Sequence, residues 1–134
     1  MHIICLQGRS NSGKTTTIGM LYDQLLQNGF TVVEGGPARQ GANFTAILKG
    51  KDLLLGITSY GDMDVQIQSR LEKFYDVNCS LAICACRGTG KTVDTVRDFP
   101  RCTHKFIGKN VETNQHNFFA ANTHDAEVLF NMIG

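Results

Sequence analysis

A polar loop bounded by glycines, set between a strand and a helix near the start of the chain, constrains the fold more than any other feature. The loop, Gly8–Thr15, reads GRSNSGKT and matches the pattern G-x-x-x-x-G-K-[ST] at every fixed position. The residues before it, Ile3–Leu6, are continuously apolar, as in a parallel strand covered on both faces. The segment after it, to Gln27, places apolar side chains at helical spacing. This strand–loop–helix unit predicts an α/β domain.

The loop has the chemistry of a phosphate-binding site. Gly8 and Gly13 permit backbone conformations that a Cβ forbids, so that successive N–H groups can point inward at phosphate oxygens. The positive end of the following helix adds to the attraction of an anion. Lys14 would reach the β- and γ-phosphates, and the hydroxyl of Thr15 would bind Mg²⁺. We therefore expect a nucleoside triphosphate, ATP or GTP, to contact nine residues: Gly8, Arg9, Ser10, Asn11, Ser12, Gly13, Lys14, Thr15 and Thr16.

Length and composition agree with a single nucleotide-binding domain that spans residues 1–134. The formal net charge of +1 gives no electrostatic reason to expect nucleic acid or an anionic membrane surface as a partner. No apolar stretch approaches the length that spans a membrane, and the first residues lack the pattern of a secretory signal. We expect a cytoplasmic protein.

The five cysteines include no C-x-x-C pair. Cys5, Cys84 and Cys86 lie in apolar runs typical of strands, so we expect reduced, buried thiols that act as small hydrophobes. We also expect the side chains of Cys84 and Cys86 to lie on opposite faces of their strand, which would suit neither a metal nor a disulfide.

The rest of the chain predicts a mixed sheet. The linker Lys49–Asp52 is so short that the runs on either side of it must form an antiparallel hairpin. The second of these runs is the more apolar, and we expect it beside the first strand. The predicted fold is a three-layer α/β/α arrangement of the P-loop type, with a mostly parallel sheet and one antiparallel hairpin. Strands are expected at 2–7, 30–33, 44–48, 53–59, 81–86 and 103–107, and helices at 15–27, 63–75, 93–99 and 123–132.

Two of the later helices carry specific expectations. The helix at 63–75 should bury an apolar stripe, and the helix at 123–132 should be capped by Asn122 or Thr123. The stripe consists of Val65, Ile67, Leu71, Phe74 and Tyr75.

In an open α/β sheet, ligands lie outside the carboxyl ends of the strands. The polar groups that follow the predicted strands are the loop itself, Glu34 with Arg39, Asp62, Arg87 with Lys91, and Lys109. We expect Asp62 to be the Mg²⁺ carboxylate beside Thr15. The alternative is that Asp62 caps the following helix; Asp64 and then Glu34 would take the metal role in that case.

The segment Arg87–Thr92 resembles a relaxed second phosphate loop. Two independent nucleotide sites are not expected in so small a domain. We expect Arg87 to stabilise charge on the transferred phosphoryl group and Lys91 to face the same crevice. The alternative is a glycine-assisted turn with a solvated lysine. Lys109 and Asn110 follow a late strand, where base-reading loops occur, but the NKxD guanine signature is missing.

The residues Asn11–Thr16 and the helix that follows them resemble the P-loop NTPase superfamily. The ending Leu25-Leu26-x-x-Gly29-x-x-Val32 is similar to two of its branches, the MobB- and ParA-like NTPases and the thymidylate-kinase-like phosphotransferases. The resemblance covers about the first quarter of the chain. Position 9 is arginine, so the signature lysine of the ParA type is missing, and neither branch is assigned.

These features predict Mg²⁺-dependent binding of ATP or GTP and hydrolysis of the γ-phosphate, with Lys14 and Arg87 as the catalytic residues. One alternative is a kinase that transfers the γ-phosphoryl group to a nucleotide or another small phosphorylated substrate held by Arg39 and Arg87. Another is a nucleotide-gated module that binds a protein partner and turns over little.

Overall fold

The computed structural model describes residues 1–36, 42–112 and 114–133. The strands are β1 (His2–Gln7), β2 (Thr31–Gly35), β3 (Thr45–Gly50), β4 (Leu53–Thr58), β5 (Leu81–Cys86) and β6 (Thr103–Gly108). The helices are α1 (Lys14–Gln27), α2 (Asp64–Asp76), α3 (Lys91–Arg97) and α4 (Phe118–Ile133), with a short 3₁₀ turn at Gln115–Asn117 before α4. None of the helices in these ranges combines the length and the hydropathy needed to cross a membrane.

The strands form one six-stranded sheet in the order β2-β3-β4-β5-β1-β6. β3 runs antiparallel to both of its neighbours, and the pairs β4–β5, β5–β1 and β1–β6 are parallel. The expected α/β class and the antiparallel hairpin of β3 and β4 are both confirmed.

The expected place of β4 beside β1 is wrong, because β5 lies between them. Ile83 of β5 is in register with Ile4 on one side and with Ile57 on the other. β5 is buried at all six positions, whereas the first two residues of β4 are only half-buried. β4 and β5 are the two middle strands of the sheet, and β5 separates β4 from β1.

Helices cover both faces of the sheet and so produce three layers. The layer of α1 and α4 buries one set of apolar side chains, including Ile18, Leu21, Leu25, Leu129 and Ile133, against Ile4, Leu6, Leu55 and Ile83. The layer of α2 and α3 buries another, including Ile67, Leu71, Phe74 and Val96, against Ile3, Cys5, Ala82 and Cys84. The alternation of strand residues between the two sets follows from the two-residue period of a strand.

The predicted apolar stripe of α2 contains one error. Ile67, Leu71 and Phe74 are fully buried, but Val65 is 70% exposed and Tyr75 is half-buried. Val65 precedes Ile67 by two positions, about 200° around a helix of 3.6 residues per turn, so it points away from the core.

Helix α4 begins five residues before its predicted start. Because the helix begins at Phe118, Asn122 is not its cap but lies inside it, among the buried residues. The buried positions lie on one face of the helix, at i, i+3, i+4, i+7 and i+11: Asn122, Asp125, Ala126, Leu129 and Ile133. Two of them are polar, which hides the stripe from a search for apolar periodicity.

The expectation that Cys84 and Cys86 lie on opposite faces is also wrong. Alternate residues of a strand share a face, and both thiols lie with Cys5 in the layer that α2 and α3 cover. The expectation of buried, reduced thiols is confirmed for these three and also describes Cys79, whereas Cys102 is half-buried.

Candidate functional site

The loop between β1 and α1 rises at the carboxyl edge of the sheet, between the ends of β5 and β6. The N–H of Gly8 donates to the carbonyl of Cys86 at 3.1 Å, and the N–H of Lys109 donates to the carbonyl of Gln7 at 2.8 Å. Asn11 and Gly13 have φ values of 61° and 94°, in the left-handed region. The strand–loop–helix context predicted from the sequence is therefore confirmed.

Lys14, the first residue of α1, folds its side chain back over the loop. Its Nζ donates to the carbonyls of Gly8 at 2.6 Å and Arg9 at 2.8 Å, and the residue is only 6% exposed. Burial lowers the pKa of the Lys14 ammonium from its usual value, and the nearby Asp62 carboxylate partly offsets that effect. The cation is thus held inside the loop by the loop's own backbone.

One hydroxyl and two cationic groups converge on one carboxylate oxygen at the edge of this loop. Asp62 Oδ1 accepts the Ser10 hydroxyl at 3.2 Å and lies 3.8 Å from Lys14 Nζ and 3.9 Å from Arg87 Nε. These residues come from the loop, from the segment after β4 and from the end of β5. The alternative role of Asp62 as a helix cap is wrong, because Met63 is the N-cap of α2 and makes no side-chain capping bond.

The hydroxyl of Thr15 has a partner that the sequence did not indicate. It donates to Asn43 Oδ1 at 3.0 Å, and the Ser59 hydroxyl donates to the same oxygen at 3.2 Å. Asn43 stands just before β3. Because β3 is antiparallel, its beginning lies at the edge where the parallel strands end, and only knowledge of the sheet order could have placed Asn43 there.

Two cavities flank the loop. The first has a volume of about 400 Å³ and lies toward β6 and α4; the second, of about 320 Å³, lies toward β4. Asn11, Gly13 and Thr16 line both of them. The second cavity also contains Lys14, Thr15, Ser59, Gly61 and Asp62. The loop therefore forms a ridge between two recesses of a size that suits small ligands.

Helix α4 supports the loop through Asn122. Its Oδ1 accepts the Thr17 hydroxyl at 3.3 Å. A Cβ on Gly13 would lie 2.5 Å from the same oxygen, so glycine is needed at this position for both its φ and the close approach of α4. The sequence indicates Asn122 only as a possible helix cap, because its contact with the loop depends on how α4 packs on α1.

The Lys109 ammonium is buried in an ion pair with Asp125, contrary to the expectation that it faces the ligand crevice. Its Nζ lies 2.9 Å from Asp125 Oδ2, and the two side chains are 1% and 2% exposed. Asn110 donates its backbone N–H and its Nδ2 to the same carboxylate, at 2.9 and 2.5 Å. The stem of Lys109 packs on Gly8, where a Cβ would come within 2.9 Å of it. Lys109, Asn110 and Asp125 thus form a buried brace, a set of contacts that connects the end of β6 with α4 and packs against the loop.

Of the segment Arg87–Thr92, only Arg87 reaches the site. The Arg87 N–H donates to Thr92 Oγ1 at 2.9 Å, which closes a turn. Lys91 is exposed and lines a separate groove with Asp64, between α2 and α3. The expectation that Lys91 faces the crevice is therefore wrong. The structure agrees with the alternative interpretation, a turn followed by a solvent-exposed lysine.

Two candidates remain, Glu34 and Arg39. Glu34 is on the edge strand β2, with Oε2 3.4 Å from Lys73 Nζ. Arg39 lies outside the described residues.

Fold and site together define a three-layer α/β protein whose polar loop, at the carboxyl edge of the sheet, holds an inward-folded lysine. The chain has no match among known protein families, curated proteins or solved structures.

Proposed function

We propose that this chain binds ATP or GTP with Mg²⁺ and cleaves the γ-phosphate. The observation that carries the proposal is the convergence of Lys14 and Arg87 on Asp62 at one edge of the sheet, where both cations lie within 3.9 Å of a single carboxylate oxygen. The three residues come from distant segments, and each is a group that phosphoryl transfer uses.

The second cavity has the donors for Mg²⁺. Thr15 and Asp62 both line it, next to Lys14. The described residues contain no cluster of three or more His, Cys, Asp or Glu side chains that could hold a metal alone. Mg²⁺ commonly needs only one or two protein oxygens because the phosphates supply others. Bound there, Mg²⁺ would neutralise charge on the phosphates, and the Thr15 hydroxyl would exchange Asn43 for the metal.

In this proposal the two cavities would orient the nucleotide. The phosphates would lie across the loop, with the γ-phosphate toward Lys14 and Asp62 in the second cavity. The first cavity, of about 400 Å³, is left for the nucleoside. Its walls come from the loop, from the residues after β6 and from the start of α4.

The site is better equipped to hold phosphates than to activate water. Lys14 and Arg87 can stabilise charge in the transition state. Asp62 is the single carboxylate among the described residues that line the second cavity. If Asp62 holds the metal, none of these residues is a carboxylate base for the attacking water. We therefore expect hydrolysis slower than about 1 s⁻¹, the low end of ordinary turnover numbers.

A second candidate function is transfer of the γ-phosphoryl group to a small acceptor. It is favoured by the volume of the second cavity, about 320 Å³, which leaves room beside the γ-phosphate position. Phosphate release without any acceptor, at the same rate as nucleotide consumption, would favour hydrolysis. Nucleotide consumption that needs an added nucleoside monophosphate or another small substrate would favour a kinase.

The test is calorimetric titration of ATP and GTP with Mg²⁺ into the wild-type chain, Lys14→Ala and Lys91→Ala, followed by measurement of phosphate release. We expect Lys14→Ala to weaken binding at least tenfold, since it removes the charge that the loop encloses. Lys91→Ala removes an equal charge outside the site and should bind as wild type does. Failure of both nucleotides to bind the wild-type chain would refute the proposal.

A further inference from the structure

The first cavity has an aromatic wall. Phe118, the first residue of α4, lines it and is 43% exposed. A phenylalanine that lines a recess and remains this exposed can offer its ring to a planar partner. Arg9 lines the same cavity from the loop, and a guanidinium also stacks on aromatic groups.

The carboxylate of Asp125, in helix α4, already has ion-pair and hydrogen-bond partners. Asp125 is 2% exposed and accepts hydrogen bonds from the Asn110 backbone and side chain in addition to its ion pair with Lys109. A carboxylate is the natural acceptor for the N1–H and N2–H₂ groups of guanine. Asp125 cannot serve that purpose without breaking a buried ion pair, which is costly.

We propose that the first cavity holds the base of the nucleotide by stacking on Phe118, so that the chain accepts adenine and guanine nucleotides with similar affinity. The inference rests on the proposed function and adds to it the class of substrate: purine nucleoside triphosphates without distinction of the base. Stacking tolerates different bases because every base has a π-face, and purines offer the larger one.

A carboxylate that does line the cavity, that of Glu112, competes with this assignment. Glu112 follows β6, and its Oε1 accepts the N–H of Asn114 at 3.3 Å. If Glu112 read the base edge, affinity would differ strongly between ATP and GTP, because the two purines present different donors there.

The experiment compares ATP, GTP and inorganic triphosphate, each with Mg²⁺, by calorimetry on the full chain and on Phe118→Ala, Phe118→Trp and Phe119→Ala. Wild-type affinities for ATP and GTP should agree within about threefold. Phe118→Ala should weaken both about tenfold, as loss of one stacking ring does, and leave inorganic triphosphate unchanged. Phe118→Trp should retain the stacking. Phe119 is adjacent, 71% exposed and not among the lining residues, so Phe119→Ala is the matched control.

Two outcomes would overturn the inference while leaving the proposed function intact. One is unchanged nucleotide affinity in Phe118→Ala. The other is a hundredfold preference for one purine that Glu112→Gln abolishes, which would place base recognition in Glu112. Failure of the proposed function looks different, because neither nucleotide nor inorganic triphosphate would then bind the wild-type chain.

Discussion

The Lys14 ammonium lies 3.8 Å from the Asp62 carboxylate, so the segment after β4 supplies a counter-anion to the lysine of the Gly8–Thr15 loop. The Ser10 hydroxyl and the Arg87 guanidinium approach the same Asp62 oxygen. In the proposed complex these are donors to the nucleotide phosphates. Asp62 would thus pair with Lys14 and Arg87 before the nucleotide binds and with Mg²⁺ afterwards.

Asp62→Asn should therefore have opposite effects with and without the metal. Without Mg²⁺, inorganic triphosphate should bind roughly twofold to tenfold more tightly, because the variant removes a half-exposed carboxylate that competes with the phosphates for Lys14 and Arg87, and ion pairs near the surface contribute about 0.2–1 kcal/mol each. With Mg²⁺, the additional affinity that the metal confers should largely disappear. Calorimetry in EDTA and in MgCl₂ measures both effects. Asp64→Asn removes the same charge from the groove between α2 and α3 and should change neither; equal behaviour of the two variants would contradict this role of Asp62.

The buried pair of Lys109 and Asp125 should matter for stability. Asp125→Ala leaves an unpaired ammonium in a site that is 1% exposed, which we expect to cost about 3–5 kcal/mol of unfolding free energy. The double variant Lys109→Met with Asp125→Ala removes both charges and should recover part of that loss. Urea unfolding of wild type, both single variants and the double variant gives the coupling energy. A loss below about 1 kcal/mol in Asp125→Ala would show that the pair is not a brace.

Local patterns in the sequence are enough to predict the central strands and part of the site. The bounds of β1 and β5 agree with their predicted ranges, because a strand covered on both faces is a continuous apolar run. The carboxyl ends of parallel strands meet at one edge, which predicts that Asp62 and Arg87 share that edge with the loop, and they do.

Non-local pairing cannot be predicted in the same way. The insertion of β5 between β1 and β4 is a matter of which strands pair in the folded sheet. Asn43 reaches Thr15 only because β3 is antiparallel, and Asn122 reaches the loop only through the packing of α4 on α1. No spacing within the sequence expresses either relationship. The start of α4 is also hard to predict. Two residues of its buried face, Asn122 and Asp125, are polar, so apolar periodicity places the start too late.

Gly13 should be far less tolerant of substitution than Gly88. In Gly13→Ala, the new Cβ would lie 2.5 Å from Asn122 Oδ1 on a residue with φ of 94°. We expect a loss of about 1–3 kcal/mol from the backbone conformation alone and at least tenfold weaker nucleotide binding. A Cβ on Gly88 would meet no atom within 4 Å, and the φ of Gly88 is not positive, so Gly88→Ala is the control. Unfolding and calorimetry on both variants test this, and similar losses in the two would contradict it.

The cysteines should differ in reactivity according to their burial. Burial raises the pKa of the Cys79 thiol to about 11, so that at pH 8 roughly a thousandth of it is the reactive thiolate. Burial also raises the pKa of Cys5 well above its usual value, and Cys84 and Cys86 have no exposed surface. Cys102 is half-buried, so we expect a thiol reagent to modify this residue readily in the native chain and the other four only after unfolding. Spectrophotometric titration of thiols before and after addition of denaturant counts them. Cys102→Ser should remove the fast phase; its persistence would show that the core around β1 and β5 opens to solvent.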